Sequence, residues 1–344
     1  MLKVGINGFG RIGRAIFRIN ESNPTFLITA INDMDPLIEN HAYLVNYDSV
    51  YGSIEKKLSV SKDNKFLRID GQKIAFYSKE KIDDVPWKDH DIDIVIDSSG
   101  IYENVIKSYN LLKQGINKVI ITHSPNDSVD HTLVIGANEN SFDISKHHII
   151  SSSICDANAC APILKIIDEE LSIVDGFITT LHPWLGYQNL LDGSLRSVSS
   201  PGHYWSDFAL GRSSTESLIP KPTTLVTALQ KVLPEITSNI FAMSFRVPTS
   251  IVSASDMVLS LKKHTTVQFI EELFIELEKL YPDVVRINNE SLVSIDFKGI
   301  RQSCVIDMRW LKVFQNKVKL VLWYDNEWGY SNRIIDLIKL LNKE

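Results

Sequence analysis

Cysteine is scarce in this chain: three among 344 residues, an odd and low count that builds no disulfide framework. Such usage fits a reducing compartment, so a cytoplasmic protein is expected. Cys155 and Cys160 have no second Cys or His pair to complete a zinc pattern, and no metal is expected. Long apolar runs are missing as well. Nothing approaches the run of about 20 residues that a membrane span needs. Met1-Leu2-Lys3-Val4-Gly5-Ile6 runs straight into a strand, so neither a leader nor a membrane partner is expected. Positive charge is in deficit: 36 Lys and Arg against 42 Asp and Glu leave a net charge of −6, which argues against nucleic acid as the partner. Internal repeats, low-complexity tracts and flexible linkers are absent. What is present, 44% hydrophobic and 23% charged residues, is the makeup of a globular enzyme with one large or two ordinary domains.

The apolar run 2–7 is followed by Gly8-Phe9-Gly10-Arg11-Ile12-Gly13, then by a helical pattern through Asn20. A second run, 26–31, ends in Asn32-Asp33. Strand, glycine turn, helix, strand and acid form the order of a mononucleotide-binding half. Further strands are predicted at 91–97, 117–121 and 131–135, a helix near 103–114, and small antiparallel strands over 57–77 inserted into the sheet. The first half thus reads as α/β, a Rossmann domain with a doubly wound, mostly parallel sheet. After Cys155 the pattern changes. A helix over 157–171 leads to strands near 173–182, 239–248, 252–262 and 308–324, with helices near 224–232 and 265–280 covering one face. This is an α+β domain with a mostly antiparallel sheet. Residues 188–222, rich in Ser and Gly, show no period and read as one long ordered loop, a feature that in compact domains is usually functional. An amphipathic helix closes the chain from 326 and is expected to return to the first domain. The division is 1–154 with 326–344, and 155–325.

Three glycines near a helix start often mark only a turn. Here the strand before, the helix after and Asp33 some 20 residues later favour a dinucleotide site. Glycines let the backbone approach a pyrophosphate, whose charge meets the helix N-terminus. Asp33 would accept from the ribose hydroxyls and repel a 2′-phosphate, so NAD is expected over NADP. Cys155 stands in Ser151-Ser152-Ser153-Ile154-Cys155-Asp156-Ala157-Asn158 at the start of a predicted helix, where backbone N–H groups and the dipole favour a thiolate. A free cysteine is otherwise a small buried hydrophobe, the reading given to Cys160 and Cys304. His182 ends an apolar strand 27 residues after Cys155, and spacing alone leaves it either structural or catalytic. A Cys/His pair beside a nicotinamide site points to aldehyde oxidation through an enzyme-bound thioester. Asp156 is the unusual neighbour, because a carboxylate beside the sulfur opposes thiolate formation and repels anions.

Several segments resemble the glyceraldehyde-3-phosphate dehydrogenase family. Lys3-Val4-Gly5-Ile6-Asn7-Gly8-Phe9-Gly10-Arg11-Ile12-Gly13-Arg14 looks like the family's opening, and Trp323-Tyr324-Asp325-Asn326-Glu327-Trp328-Gly329-Tyr330-Ser331-Asn332-Arg333 like its close. Between them stand Thr179-Thr180-Leu181-His182, Lys231-Val232-Leu233-Pro234-Glu235 and Phe245-Arg246-Val247-Pro248-Thr249, in the family's order along essentially the whole chain. The resemblance implies a homotetramer binding NAD and a small aldehyde. It implies Cys155 as nucleophile and His182 as the base that draws the thiol's proton. Asn326 would hold the nicotinamide carboxamide, while Ser98, Ser99, Gly100, Thr122 and Tyr330 would join residues 7–13 and Asp33 around the cofactor.

The same resemblance exposes departures. The family surrounds its nucleophile with Ser-Cys-Thr-Thr-Asn-Cys, whereas this chain has Ile154-Cys155-Asp156-Ala157-Asn158-Ala159-Cys160. Ile154 cannot donate to phosphate and ionised Asp156 only accepts. Lys221-Pro222-Thr223-Thr224 replaces Ser-Ser-Thr-Gly, keeping the Thr223 hydroxyl. The positions after the histidine hold Leu185 and Tyr187, which leaves Arg246 as the clear survivor of the substrate-phosphate cluster. Arg196, Arg212, His203 and Tyr204 of the long loop are candidates to rebuild an anion site. Ser194 stands where NAD-specific members carry proline. Three outcomes remain open: an acyl phosphate formed with phosphate, a carboxylate formed with water that Asp156 activates, or a nucleotide-binding scaffold with little catalysis. Asp156 could equally attract a cationic, amine-bearing aldehyde.

Overall fold

The computed structural model describes residues 1–125, 129–194 and 207–342. Contacts divide the chain into two compact units, Met1–Ile154 joined by the residues from Ser331 onward, and Cys155–Tyr330. Among the described residues no helix is long and apolar enough to cross a membrane.

In the first unit the strand Lys3–Asn7 pairs in parallel with Leu27–Asn32 on one side and Ile94–Asp97 on the other. Beyond Ile94–Asp97 lie Lys118–Ile121, Ile149–Ser151 and the short His131–Thr132, all parallel. Ile94–Asp97 is buried at every position, as expected for a parallel strand covered on both faces. The stretch 57–77 is not inserted into this sheet. It extends one edge: Gln72–Tyr77 runs parallel to Leu27–Asn32, and Phe66–Ile69 and Ser59–Val60 follow antiparallel. The reason is local. Asp70 and Gly71 both have positive φ, 48° and 82°, and make the two-residue hairpin turn that folds Phe66–Ile69 back on Gln72–Tyr77.

The second unit opens with the helix Cys155–Leu171. Its sheet runs, by neighbours, Ile219–Lys221, Ile240–Val247, Ile173–Pro183, Ser253–Leu261, Lys317–Tyr324, Cys304–Asp307 and Val285–Asn288. Most pairs are antiparallel, with Ile173–Pro183 parallel to Ile240–Val247 and Val285–Asn288 parallel to Cys304–Asp307. Two expectations are corrected here. The region 308–324 is a hairpin, Lys312–Phe314 against Lys317–Tyr324, turned at Gln315 with φ 56°. Residues 188–222 are not all loop, since they contain a 3-10 turn, Phe208–Gly211, and the edge strand Ile219–Lys221. Arg196, His203 and Tyr204 lie outside the described residues.

Period-two alternation gives this sheet two unlike faces. On Ile173–Pro183, Ile178, Thr180 and His182 are buried, while Phe177 and Leu181 are exposed on the other face. Phe241 and Met243 from the neighbouring strand are also exposed there, and Phe177 and Phe241 stack with centroids 5.7 Å apart. On the buried face the register aligns one row of side chains. Ile219 is opposite Arg246, Arg246 is opposite His182, and Ser253 is opposite Tyr324. The next row carries Lys221 opposite Ser244, with Ser244 opposite Thr180. These two rows build the site.

Candidate active site

Cys155 is the first residue of its helix, two positions after Ser153, whose φ of 60° lies in the left-handed region. The thiol does not meet His182 through a direct hydrogen bond. Asp156 comes between them. Its Oδ1 is 2.6 Å from His182 Nε2, accepts from the Tyr324 hydroxyl at 2.7 Å and from the Cys155 Sγ at 3.6 Å. Sγ of Cys155, a carboxylate oxygen of Asp156 and a ring nitrogen of His182 all lie within 4.8 Å of one another. His182 Nδ1 is 2.8 Å from Ser253 Oγ. A carboxylate only accepts, so Nε2 carries a proton, and the Ser253 hydroxyl completes the other side of the ring.

The electrostatics follow from that geometry. Burial pushes the Cys155 thiol well above its ordinary value, the adjacent Asp156 charge pushes it further, and Arg246 opposes both. For Asp156, burial acts upward, but the His182 charge and the hydrogen bonds from His182, Tyr324 and Cys155 outweigh it and hold the carboxyl below its ordinary range. Burial and the Asp156 charge raise the Tyr324 hydroxyl well above the usual tyrosine value. The sulfur therefore rests as a thiol beside an ionised carboxylate. Cys155 and His182 are brought close together, with the Asp156 carboxylate in contact with both. Cys160 is buried against Ser255 and Cys304 is buried, both as core residues.

A pocket of about 390 Å³ opens over this cluster, lined by Asp156, His182, Leu210, Lys221, Thr223 and Arg246 among others. Arg246 donates through Nη1 to the Pro183 carbonyl, while its buried Nε has no partner. Thr223 Oγ1 accepts from Leu225 N. Arg212 is not here: it is exposed and pairs with Asp192 at 2.8 Å, so its charge is already met. Leu185 and Tyr187 do not line the pocket either. Sequence reasoning missed Ser253 and Tyr324, and treated Lys221 only as part of a damaged motif. The signal for the first two is their place opposite each other in the register that carries His182.

In the first unit a second pocket, about 200 Å³, is lined by Asn7, Gly8, Gly10, Asp33, Ser98 and Ser99 with neighbours. Gly8 has φ +87°, and a Cβ there would stand 2.5 Å from Ser99 N. A Cβ on Gly13 would stand 2.3 Å from the Gly8 carbonyl oxygen, so that glycine serves helix–strand packing. Gly10 is different: a Cβ would meet nothing within 4 Å, and the space belongs to the pocket. The helix Arg11–Ser22 begins there with no side-chain cap and no acid in its first turn. The positive end of the helix suits a pyrophosphate. Asp33 accepts from Phe9 N at 2.6 Å and from Asp35 N at 3.0 Å. The remaining predicted residues sit around, not in, this pocket. The Phe9 ring is core and packs on Phe17, and Arg11 pairs with Asp48. Ile12, Gly100 and Thr122 are not among the lining residues. In the second unit, Asn326 has a buried Oδ1 without a partner, an acceptor suited to a carboxamide N–H, and Tyr330 is buried.

Comparison with known proteins covers both units. Residues 2–105 match the family model of the glyceraldehyde 3-phosphate dehydrogenase NAD binding domain, and residues 154–326 match that of the C-terminal domain. The chain is 36% identical over 341 residues to glyceraldehyde-3-phosphate dehydrogenase 2 of Bacillus subtilis, covering 98% of this chain and 96% of the relative. It is 36% identical over 347 residues to glyceraldehyde-3-phosphate dehydrogenase 3 of Saccharomyces cerevisiae, covering 100% of both. The figure for the Geobacillus stearothermophilus enzyme is 36% over 338 residues, covering 98% of this chain and 97% of the relative.

Proposed function

The chain belongs to the glyceraldehyde-3-phosphate dehydrogenase family, and on that premise we propose that it is an NAD-dependent oxidoreductase acting on a small phosphorylated or sugar-derived aldehyde through Cys155. The observation that carries this reading is the contact set of Cys155, Asp156 and His182 beneath a pocket lined by Arg246. Cys155 Sγ adds to the aldehyde carbon, and the thiol's proton passes by way of the Asp156–His182 pair to the carbonyl oxygen, leaving a thiohemiacetal. NAD supplies the hydride acceptor when bound. As hydride leaves the substrate carbon, His182 and Asp156 take up the hydroxyl proton, and a thioester to Cys155 remains. Attack by phosphate or water then breaks the C–S bond and returns a proton to the sulfur.

NAD would be held by the glycine turn, with Asp33 on the ribose. Paired variants separate binding from folding. Gly8→Ala places a side chain at positive φ and is expected to cost about 1–3 kcal/mol in denaturant unfolding. Gly10→Ala meets no protein atom, so it should leave stability unchanged while weakening NAD binding at least about tenfold, roughly the worth of one lost backbone approach to the pyrophosphate. Equal loss of stability in both variants would remove the distinction.

Asp156 favours a second reading of the last step, in which a carboxylate in the pocket activates water and the product is an acid. Measuring NADH with a panel of aldehydes, with and without inorganic phosphate, tests both. NADH from a small aldehyde over many turnovers is the expected result, and none with any aldehyde would sink the dehydrogenase assignment in favour of a nucleotide-binding scaffold. Strict dependence on phosphate would sink the hydrolytic step. Self-association is also proposed: the exposed face bearing Phe177, Phe241 and Met243 supports a homo-oligomer, with a tetramer as the expected state. Three free thiols support work in the reducing cytoplasm.

A further inference from the structure

We infer that Lys221, acting with Arg246, holds a tetrahedral dianion in the pocket over Asp156 and His182 and is the residue that selects anionic ligands in this chain. The inference rests on the dehydrogenase reading and deepens it. Its starting point is register. Ile219–Lys221 is an edge strand paired antiparallel with Ile240–Val247, which puts Lys221 opposite Ser244 and Ile219 opposite Arg246. Directly opposed residues share a face, so Lys221 and Arg246 project to the side that carries His182. They are diagonal neighbours, about 7–8 Å apart on the backbone, a gap that two long side chains close. Both line the same pocket.

Two like charges at such a diagonal repel unless an anion sits between them. Among the described residues, no carboxylate pairs with either cation, and the Lys221 ammonium makes no hydrogen bond; the Arg246 Nε is buried without a partner. Asp156 acts on both cations through its charge but is bonded to neither. Its Oδ1 accepts from His182 and Tyr324 and takes the thiol contact as well. The rest of the lining is hydroxyl or apolar, Thr223 and Thr224 on one side and Leu210 on the other. A volume near 390 Å³ suits a short carbon chain bearing one phosphate. The hydroxyl donors missing at Ile154, Leu185 and the segment before Thr223 are thus replaced by one ammonium. Its position comes from a strand, whereas Arg212 of the preceding loop pairs with Asp192.

The dianion could be free phosphate or the phosphate of the substrate, and two arms separate them. In NAD-loaded protein, iodoacetamide alkylation of Cys155 is followed while inorganic phosphate or glycerol 3-phosphate is titrated in as protectant. Lys221→Met is expected to raise the half-protecting concentration about 10–100-fold for at least one of them, the range of a lost charge-assisted hydrogen bond. Lys221→Arg should stay within about threefold, since it keeps the charge. A shift with inorganic phosphate alone identifies a co-substrate site, and a shift with glycerol 3-phosphate identifies the substrate's own phosphate. Steady-state turnover should move in KM and leave kcat nearly unchanged. Unaltered protection by both anions in Lys221→Met, or equal loss in Lys221→Met and Lys221→Arg with native thermal unfolding, overturns the inference. If no aldehyde yields NADH in the wild-type chain, the dehydrogenase reading falls, and the protection titration still decides the anion site.

Discussion

Cys155 in an Asp156→Thr variant is expected to react with iodoacetamide about 100-fold faster than in the wild-type chain near neutral pH, because thiolate population controls the rate. Two effects act together. The substitution removes a negative charge from the sulfur's nearest polar neighbour, and it frees His182 Nε2, which Asp156 holds at 2.6 Å. In the wild-type chain the thiol titrates above its ordinary value, owing to burial and then to Asp156. Alkylation should therefore climb through the neutral range and continue into alkaline pH without levelling. Losing the carboxylate moves the whole curve to lower pH. Stopped-flow or quenched alkylation across pH gives the answer, and a variant profile that overlays the wild type would show that Asp156 does not govern the thiol.

The second large effect belongs to His182. His182→Asn is expected to lower kcat about 10³-fold, within the usual range for loss of a general base. The informative measurement is the double variant. If freeing His182 supplies much of the acceleration in Asp156→Thr, the gain in alkylation should shrink to tenfold or less, the part due to charge removal alone, when His182→Asn is also present. Full retention of the 100-fold gain would assign it entirely to the field of the carboxylate. The two residues would then be independent, against the short contact between them.

How much of this was legible from the chain depends on distance along it. The glycine turn, the helix behind it and Asp33 are local, and their spacing points to a place where the structure has a pocket. Cys155 at a helix start was legible for the same reason. The partner contacts of the site were not. Ser253 reaches His182 across 71 positions and Tyr324 reaches Asp156 across 168, and only strand register brings those pairs together. Asp156 was recognised as unusual, but its bond to His182 depends on where a helix start faces a sheet, which no local pattern records. Lys221 was hidden by its setting. A three-residue edge strand containing Pro220 has too few positions to show alternation, and proline is tolerated there because an edge leaves an N–H unused. The hairpin at Gln315 was missed for another reason: its two-residue turn, Gln315-Asn316, is polar but carries no glycine or proline to mark it.

One oxygen atom, Asp156 Oδ1, is the meeting point of an imidazole, a phenol and a thiol. The Asp156 charge raises both the thiol and the phenol, so a change of charge at the carboxylate is felt at both. Inflections in a pH–rate profile of this enzyme will then be properties of the whole assembly, and replacing one member will displace all of them. A profile in which Tyr324→Phe moves the inflection otherwise ascribed to Cys155 is the kinetic signature of that sharing.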